Sequence, residues 1–139
     1  MKKVLIICTS NKTRSPMAME IANMTAQRLD APYLFRSAGL AAVGSAVDEN
    51  VCTVLKEKGI DTSHIPTHIS QYNIEEFDSV HVMSERQKIT LCSYFKNKLT
   101  DEKIVVLGIE DPYYKGIEAY RSARDRFEEY YTDYIKENK

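Results

Sequence analysis

Four short apolar segments alternate along the chain with four longer segments whose apolar residues recur at helical spacing. We predict strands at residues 4–7, 33–37, 79–83 and 104–107, and helices at 16–29, 48–58, 84–98 and from 117 to near the end. Repeated strand-to-helix steps require a parallel sheet with helices on both faces, because parallel strands are joined by right-handed crossovers. The sequence therefore predicts an α/β fold around a four-stranded parallel sheet.

Length and composition fit one domain spanning residues 1–139, with 43% hydrophobic residues available for a core. The net charge is -1 with both signs interspersed, so neither nucleic acid nor a membrane surface is an expected partner. No apolar stretch is long enough to cross a bilayer or to form a signal peptide. The three cysteines lack metal-type spacing and leave one over in any disulfide scheme, so we expect a reduced, cytoplasmic protein.

The first predicted strand leads into a polar loop, TSNKT, that follows Cys8 and precedes Arg14. Backbone N–H groups at such a helix start can surround a phosphate, with the thiolate of Cys8 beneath phosphorus and the guanidinium of Arg14 on two oxygens. Pro16 suits the first helical turn, where its missing N–H is harmless. The loop is thus predicted to hold an anion and to supply a nucleophile.

Only the thiolate of Cys8 is a useful nucleophile, and a helix N-terminus with a nearby cation favours that ionised form. The hydroxyl of Ser15 is placed to donate to the thiolate and to ease its later departure as a leaving group. The alternative is a buried cysteine at the end of a strand, the usual fate of a free cysteine. The preceding strand and the following Arg-Ser-Pro helix start favour the functional interpretation.

A second group, Asp111-Pro112-Tyr113-Tyr114, follows the fourth predicted strand and so lies at the same edge of the sheet as Cys8. Cleavage of a phosphate ester needs a proton for the departing oxygen, and the carboxyl group of Asp111 is the predicted donor. Tyr113 and Tyr114 are predicted to wall a slot for a flat substrate. The alternatives are an ordinary turn begun by Asp-Pro and ordinary packing of the tyrosines.

These pieces, in this order and spacing, resemble the low-molecular-weight protein tyrosine phosphatases over nearly the whole chain. The matching segments are CTSNKTRSP from residue 8, RSAG from 36, KGIDTSH from 58, EEFDSVHVMSE from 75 and DPYY from 111. The resemblance implies a flavodoxin-like fold, a phosphocysteine intermediate on Cys8, phosphate binding by Arg14, and Asp111 acting as acid and then as base. It also implies a phosphorylated protein substrate, phosphate or other oxyanions as ligands, and no cofactor.

The resemblance further implies supporting roles around the loop. Asn11 would hold the unusual backbone shape of the loop through hydrogen bonds that include Ser37, and Ser15 matches the hydroxyl that stabilises the thiolate. The phosphate-binding and loop-supporting residues are thus predicted to be Thr9, Ser10, Asn11, Lys12, Thr13, Ser15 and Ser37.

The loop departs at three positions from the usual pattern of that family, CxGNxCRS. Ser10 replaces the glycine, and we expect it to need a positive φ at a cost of about 1 kcal/mol. Thr13 replaces the second cysteine, which removes a disulfide partner that could protect Cys8 from irreversible oxidation. Lys12 stands where the resemblance places a wall of the substrate slot, and residues 40–49 offer no aromatic side chain for the opposite wall.

The remaining conspicuous residues are predicted to be structural. The histidines lack the spacing of a metal site, the other two cysteines are expected to fill the core, and the aromatic stripe of the last helix is expected to pack on the sheet. These residues are His64, His68 and His81; Cys52 and Cys92; and Phe127, Tyr130, Tyr131 and Tyr134.

The sequence therefore predicts a phosphomonoesterase that hydrolyses phosphotyrosine in proteins. A protein arginine phosphatase would share the loop and the acid, but Tyr113 and Tyr114 favour an aryl substrate. An arsenate reductase of this fold would need two further cysteines near the site, and Cys92 lies alone in a predicted helix. A phosphate-binding regulatory module, in which Ser10 and Lys12 have abolished turnover, is the non-enzymatic alternative.

Overall fold

The computed structural model describes residues 1–42 and 44–138, and within them strands and helices alternate as predicted. The strands are β1 (Lys2–Cys8), β2 (Tyr33–Gly39), β3 (Ser79–Val82) and β4 (Ile104–Val106). The helices are α1 (Arg14–Arg28), α2 (Glu49–Lys56), α3 (Glu85–Phe95) and α4 (Ile117–Glu137). Val43, in the segment 40–49, and Lys139 lie outside the described residues.

The strands of the described residues form one parallel sheet in the order β2-β1-β3-β4. The chain passes from β1 to β2 on one side and then crosses to β3 on the other side of β1. This arrangement confirms the predicted flavodoxin-like α/β fold, and it opens a crevice beyond the carboxyl end of β1.

Strand β1 divides its side chains between two cores, because successive residues of a strand point to opposite faces. Val4, Ile6 and Cys8 face a core that they share with α1, α2 and α4. Leu5 and Ile7 face a second core that includes residues of α3 and of the connection before β3. Covering both faces explains why β1 is a continuous apolar run rather than an alternating one.

The aromatic stripe of α4 packs over β3, which confirms that prediction. Phe127 and Tyr131 are fully buried, and Tyr130 and Tyr134 pack at the margin of the same core. The Tyr131 hydroxyl lies 2.9 Å from Nδ1 of His81, a β3 residue, and the two rings stack. Burial lowers the pKa of His81 to about 3, so the imidazole is neutral in the folded protein.

The helix starts differ slightly from those predicted, for reasons of capping. Helix α1 begins at Arg14, with Thr13 as its N-cap residue, so Pro16 is the third helical residue and not an opening one. Proline is still tolerated there because the N–H groups of the first turn have no partner within the helix. Helices α2 and α3 begin one residue later than predicted because Asp48 and Ser84 are their N-cap residues.

The two cysteines away from the loop fill gaps, as predicted. Cys52 and Cys92 are half-buried free thiols that pack against the two cores.

Within residues 1–42 and 44–138, no helix combines the length and the apolar character needed to cross a membrane.

Candidate active site

Cys8 is the last residue of β1, so its thiol lies at the start of the crevice beyond the sheet. The residue is only 2% exposed, and Sγ lies 2.9 Å from the hydroxyl oxygen of Ser15 in the first turn of α1. The loop between them returns the chain over the end of β1. This places the sulfur beside the positive end of the α1 dipole.

The backbone of the loop turns at Asn11, which has a φ of 58°. The prediction that Ser10 would carry a positive φ is therefore wrong. Asparagine enters the left-handed region more readily than other side chains, because its short amide can form local hydrogen bonds. The Ser10 hydroxyl instead accepts a bond from the backbone N–H of Lys12 at 3.3 Å.

The side chain of Asn11 is completely buried, and both ends of its amide are bonded. Nδ2 donates to Ser15 Oγ at 2.8 Å and to Ser37 Oγ at 3.0 Å. Oδ1 accepts from the backbone N–H of Thr67 at 2.8 Å and lies 2.7 Å from Nε2 of His64. The loop is thus anchored to β2 and to the segment that follows α2.

This network fixes the direction of the Ser15 hydroxyl. Because Ser15 Oγ accepts a hydrogen bond from Asn11, its own proton is left for another acceptor. The choices are Cys8 Sγ at 2.9 Å and the carbonyl of Ala38 at 3.4 Å. The shorter contact directs the proton to sulfur, and a hydroxyl donor stabilises a thiolate.

His64 was missed as a site residue in the sequence, where it belongs only to the segment KGIDTSH. Since Asn11 Oδ1 is an acceptor, Nε2 of His64 carries the proton that joins them, and Ser37 Oγ lies 3.2 Å from the same nitrogen. Burial lowers the pKa of His64, which favours this neutral, donating ring. His64 therefore supports the loop. No group of three or more His, Cys, Asp or Glu side chains in the described part of the chain is arranged to hold a metal ion.

Thr9 is held by a second residue that the sequence did not reveal. Gln87, on α3, donates from Nε2 to Thr9 Oγ1 at 3.3 Å, while its Oε1 accepts from the backbone N–H of Met83 at 2.8 Å. The backbone of Thr9 also runs very close to β2. A Cβ on Gly39 would lie only 2.8 Å from the Thr9 carbonyl oxygen and 3.0 Å from the Cβ of Asn11.

Arg14 and Asp111 approach each other across the crevice. Nη2 of Arg14 lies 3.9 Å from Oδ2 of Asp111, and Nη1 donates to the carbonyl of Ile109 at 2.9 Å. The arginine side chain is 14% exposed and the aspartate side chain 52%. Asp111 Oδ1 also accepts from the backbone N–H of Tyr113 at 3.1 Å, so the carboxylate both starts a turn and faces the loop.

An open cleft of about 440 Å³ borders the loop, a size that suits a small ligand group. Its lining residues are Ser10, Lys12, Thr13, Ala46, Asp48, Asp111 and Tyr113. The lysine side chain lies against Gly44, since a Cβ there would be 2.7 Å from its Nζ. The cleft thus has one aromatic wall, from Tyr113, and a small aliphatic residue, Ala46, in its lining.

Tyr114 does not line this cleft. It is 91% exposed and has a φ of 67°. Its ring centroid lies 4.1 Å from that of Tyr113, so Tyr114 contacts the cleft only through the Tyr113 ring. Asp48, which does line the cleft, was not singled out from the sequence because Asp before a helix ordinarily signals only a cap.

Known proteins share this fold. The family model described as low molecular weight phosphotyrosine protein phosphatase matches residues 3–139. A protein-arginine-phosphatase from Geobacillus stearothermophilus is 32% identical, covering 91% of this chain and 88% of that protein. A low molecular weight phosphotyrosine protein phosphatase 1 from Drosophila melanogaster is 29% identical, covering 88% and 87%.

One similar solved structure carries a phosphorylated active-site residue. It is the YwlE arginine phosphatase as a cysteine-to-serine mutant with a phosphorylated active-site serine. It has a TM-score of 0.90 and 26% identity, covering 97% of this chain and 94% of that chain. The fold and these relatives define a protein phosphatase, which is a hydrolase. The chain belongs to the low molecular weight phosphotyrosine protein phosphatase family, as its sequence motifs predicted.

Proposed function

We propose that this protein hydrolyses phosphotyrosine in proteins through a phosphocysteine intermediate on Cys8. The observation that carries the proposal is the contact of 2.9 Å between Cys8 Sγ and a Ser15 hydroxyl whose proton is directed to sulfur. Such a donor stabilises the thiolate both as nucleophile and as leaving group. Cys8 is also a free thiol, which fits action in a reducing cytoplasm.

In the first step the Cys8 thiolate attacks phosphorus, forming a P–S bond while the P–O bond to the phenol breaks. The electron pair goes to the phenolic oxygen, which takes a proton from the carboxyl group of Asp111. Arg14 binds two of the phosphoryl oxygens with its planar fork. Its separation of 3.9 Å from Asp111 supports a leaving group bound on that side of the loop.

In the second step a water molecule attacks the phosphocysteine. Asp111, now ionised, takes a proton from that water as a new P–O bond forms. The P–S bond breaks and the electron pair returns to Cys8, whose thiolate is again stabilised by the Ser15 hydroxyl. Inorganic phosphate and the regenerated acid are the products, so each cycle ends with the residues in their starting protonation states.

The cleft lining supports an aryl substrate. Tyr113 offers a flat wall on which a phenol ring can stack, and the Lys12 ammonium adds positive charge beside the loop. A cation there attracts a phosphate dianion and repels the guanidinium of phosphoarginine. Lys12 therefore acts as a specificity residue in this proposal.

A protein arginine phosphatase is the second candidate. Two observations favour it: the 32% identity to a protein-arginine-phosphatase, and the carboxylates of Asp48 and Asp111 in the cleft lining, which would attract a guanidinium. The balance between these carboxylates and Lys12 decides the substrate. The deciding experiment compares kcat/KM on one peptide sequence carrying either phosphotyrosine or phosphoarginine.

We expect a preference for the phosphotyrosine peptide. A preference for phosphoarginine would replace tyrosine by arginine as the substrate while keeping the chemistry at Cys8. Binding of phosphate without hydrolysis of either peptide would instead support a regulatory module.

A further inference from the structure

The hydroxyl of Thr13 bonds to another segment of the chain and not to the helix that this residue precedes. Thr13 is the N-cap residue of α1, and a threonine there ordinarily accepts hydrogen bonds from N–H groups of the first turn. In this protein the side chain makes no capping bond. Its Oγ1 instead donates to Oδ2 of Asp48, in a long hydrogen bond of 3.4 Å.

Asp48 is itself held in place by a buried tyrosine. The hydroxyl of Tyr120, on α4, donates to the same Oδ2 at 2.5 Å, and Tyr120 is only 2% exposed. Burial and the hydrogen bond to Asp48 raise the pKa of Tyr120, so it stays protonated as a donor. The other carboxylate oxygen accepts from the backbone N–H of Asn50, and the Asp48 N–H donates to the carbonyl of Lys12 at 2.9 Å.

Because the Thr13 hydroxyl bonds Asp48, it leaves the N–H groups at the start of α1 uncapped. The N–H groups of the first turn of a helix have no intrahelical acceptor, and they bind an anion when no side chain caps them. Pro16, the third helical residue, has no N–H, so a threonine that capped α1 would take the N–H of Ser15 and compete there with a phosphate held between Cys8 and Arg14. By accepting from Thr13, Asp48 removes that competitor.

We propose that Asp48, held by Tyr120, is a positioning residue that keeps the Thr13 hydroxyl off the N-terminus of α1 and so preserves the phosphate site. The proposal rests on the proposed function, because it assumes that phosphate binds in the Cys8 loop. For the removal of Asp48, the positioning role and simple electrostatics predict opposite changes in phosphate affinity. Removing a carboxylate beside an anion site should by itself tighten phosphate binding, whereas the positioning role predicts that binding weakens.

The test is Asp48→Ser, which keeps a good N-cap for α2 but is too short to reach Thr13 or Tyr120. The readout is the Kd for inorganic phosphate, measured by calorimetry on the whole protein at one pH. We expect about fivefold weaker binding, the factor that corresponds to one N-cap hydrogen bond. Tyr120→Phe should weaken binding in the same direction, because it releases Asp48.

The matched comparison is the same substitution in a Thr13→Val background, where no hydroxyl can cap α1. There Asp48→Ser should no longer weaken phosphate binding, and the lost negative charge should tighten it slightly. Equal weakening in both backgrounds would mean that Asp48 acts without Thr13, and it would overturn the proposal. So would unchanged or tighter binding in the native background.

Thermal unfolding of each variant reports whether the fold is kept. If Asp48→Ser does not fold, the pair of Tyr120→Phe measurements, with and without Thr13→Val, decides by the same criterion. A native protein that binds no phosphate would reject the proposed function together with this inference. A native protein that binds phosphate, with no effect of these substitutions, rejects the positioning role alone.

Discussion

The guanidinium of Arg14 lies 3.9 Å from the carboxylate of Asp111, between the Cys8 loop and the segment that follows β4. Its other terminal nitrogen donates to the carbonyl of Ile109, two residues before that aspartate. The residue that would bind the phosphoryl oxygens is therefore bonded to the backbone of the segment that carries the proposed proton donor. A change at Arg14 should disturb both functions at once.

Arg14→Lys should lower kcat/KM for p-nitrophenyl phosphate by roughly 100-fold or more. A lysine is a point charge, and it cannot fork onto two phosphoryl oxygens while also bonding the Ile109 carbonyl. The control is Arg28→Lys, at the far end of α1, whose partner Glu128 is on α4. That variant should keep the native rate. An Arg14→Lys enzyme within a few-fold of the native rate would contradict the assignment.

Cys8→Ser should abolish turnover and keep phosphate or vanadate binding, because the N–H groups of the loop and Arg14 remain. The measurements are steady-state hydrolysis and the Kd for the oxyanion. Cys92→Ser, a half-buried thiol on α3, is the matched control and should remain active. Hydrolysis by Cys8→Ser near the native rate would place the nucleophile elsewhere.

Asp111→Asn should slow hydrolysis in proportion to how much the leaving group needs a proton. Phenyl phosphate and phosphotyrosine peptides should lose roughly 100-fold in kcat, within the usual range of general acid catalysis. A substrate with an acidic phenol should lose much less. Equal losses across a series of leaving groups would show that Asp111 serves only the turn to Tyr113.

Lys12→Ile should weaken inhibition by free phosphate and reduce the preference for phosphotyrosine over phosphoarginine. Both effects follow from removing an ammonium group that lines the cleft. The inhibition constant and the ratio of kcat/KM for the two peptides are the measurements. Lys58→Ile, which removes a lysine paired with Glu128 of α4, controls for net charge. Unchanged inhibition and selectivity would mean that Lys12 extends into solvent.

The free energy of unfolding should fall with acidification because His81 is buried. Its pKa drops from 6.5 to about 3 on folding. Between these values the unfolded chain binds more protons than the folded chain, so stability decreases as pH falls, by up to ~1.4 kcal/mol per pH unit. Above pH 6.5 the ring is neutral in both the folded and the unfolded chain, so His81 no longer makes stability depend on pH. Urea unfolding from pH 7 to 4 measures this slope, which His81→Gln should flatten. An identical slope in His81→Gln would assign the proton uptake to other groups.

The parts of this protein that could be predicted from its sequence are those set by local pattern. A continuous apolar run identified β1, because a strand covered on both faces has no polar side. Helical spacing in α4 identified Phe127 and Tyr131 as core residues, since residues three and four apart share a helix face. The positions of Cys8 and Asp111 at one edge of the sheet followed from parallel topology alone.

The parts that could not be predicted depend on contacts between distant segments. Asn11 takes the positive φ expected at Ser10, because a complete set of partners for its amide comes from Ser37, His64 and Thr67. No local sequence pattern predicts a hydrogen bond between residues more than fifty positions apart. The diversion of the Thr13 hydroxyl to Asp48 is likewise a tertiary event, opposite to the capping that local propensity favours.

The close approach at Gly39 limits how this site could be re-engineered. Any side chain there would meet the Thr9 carbonyl oxygen at 2.8 Å, so the loop would have to move off the end of the sheet. Positions 12, 46 and 113 line the cleft instead. A library intended to change substrate selectivity should therefore vary those three and leave position 39 fixed, so that most of its members keep a working nucleophile.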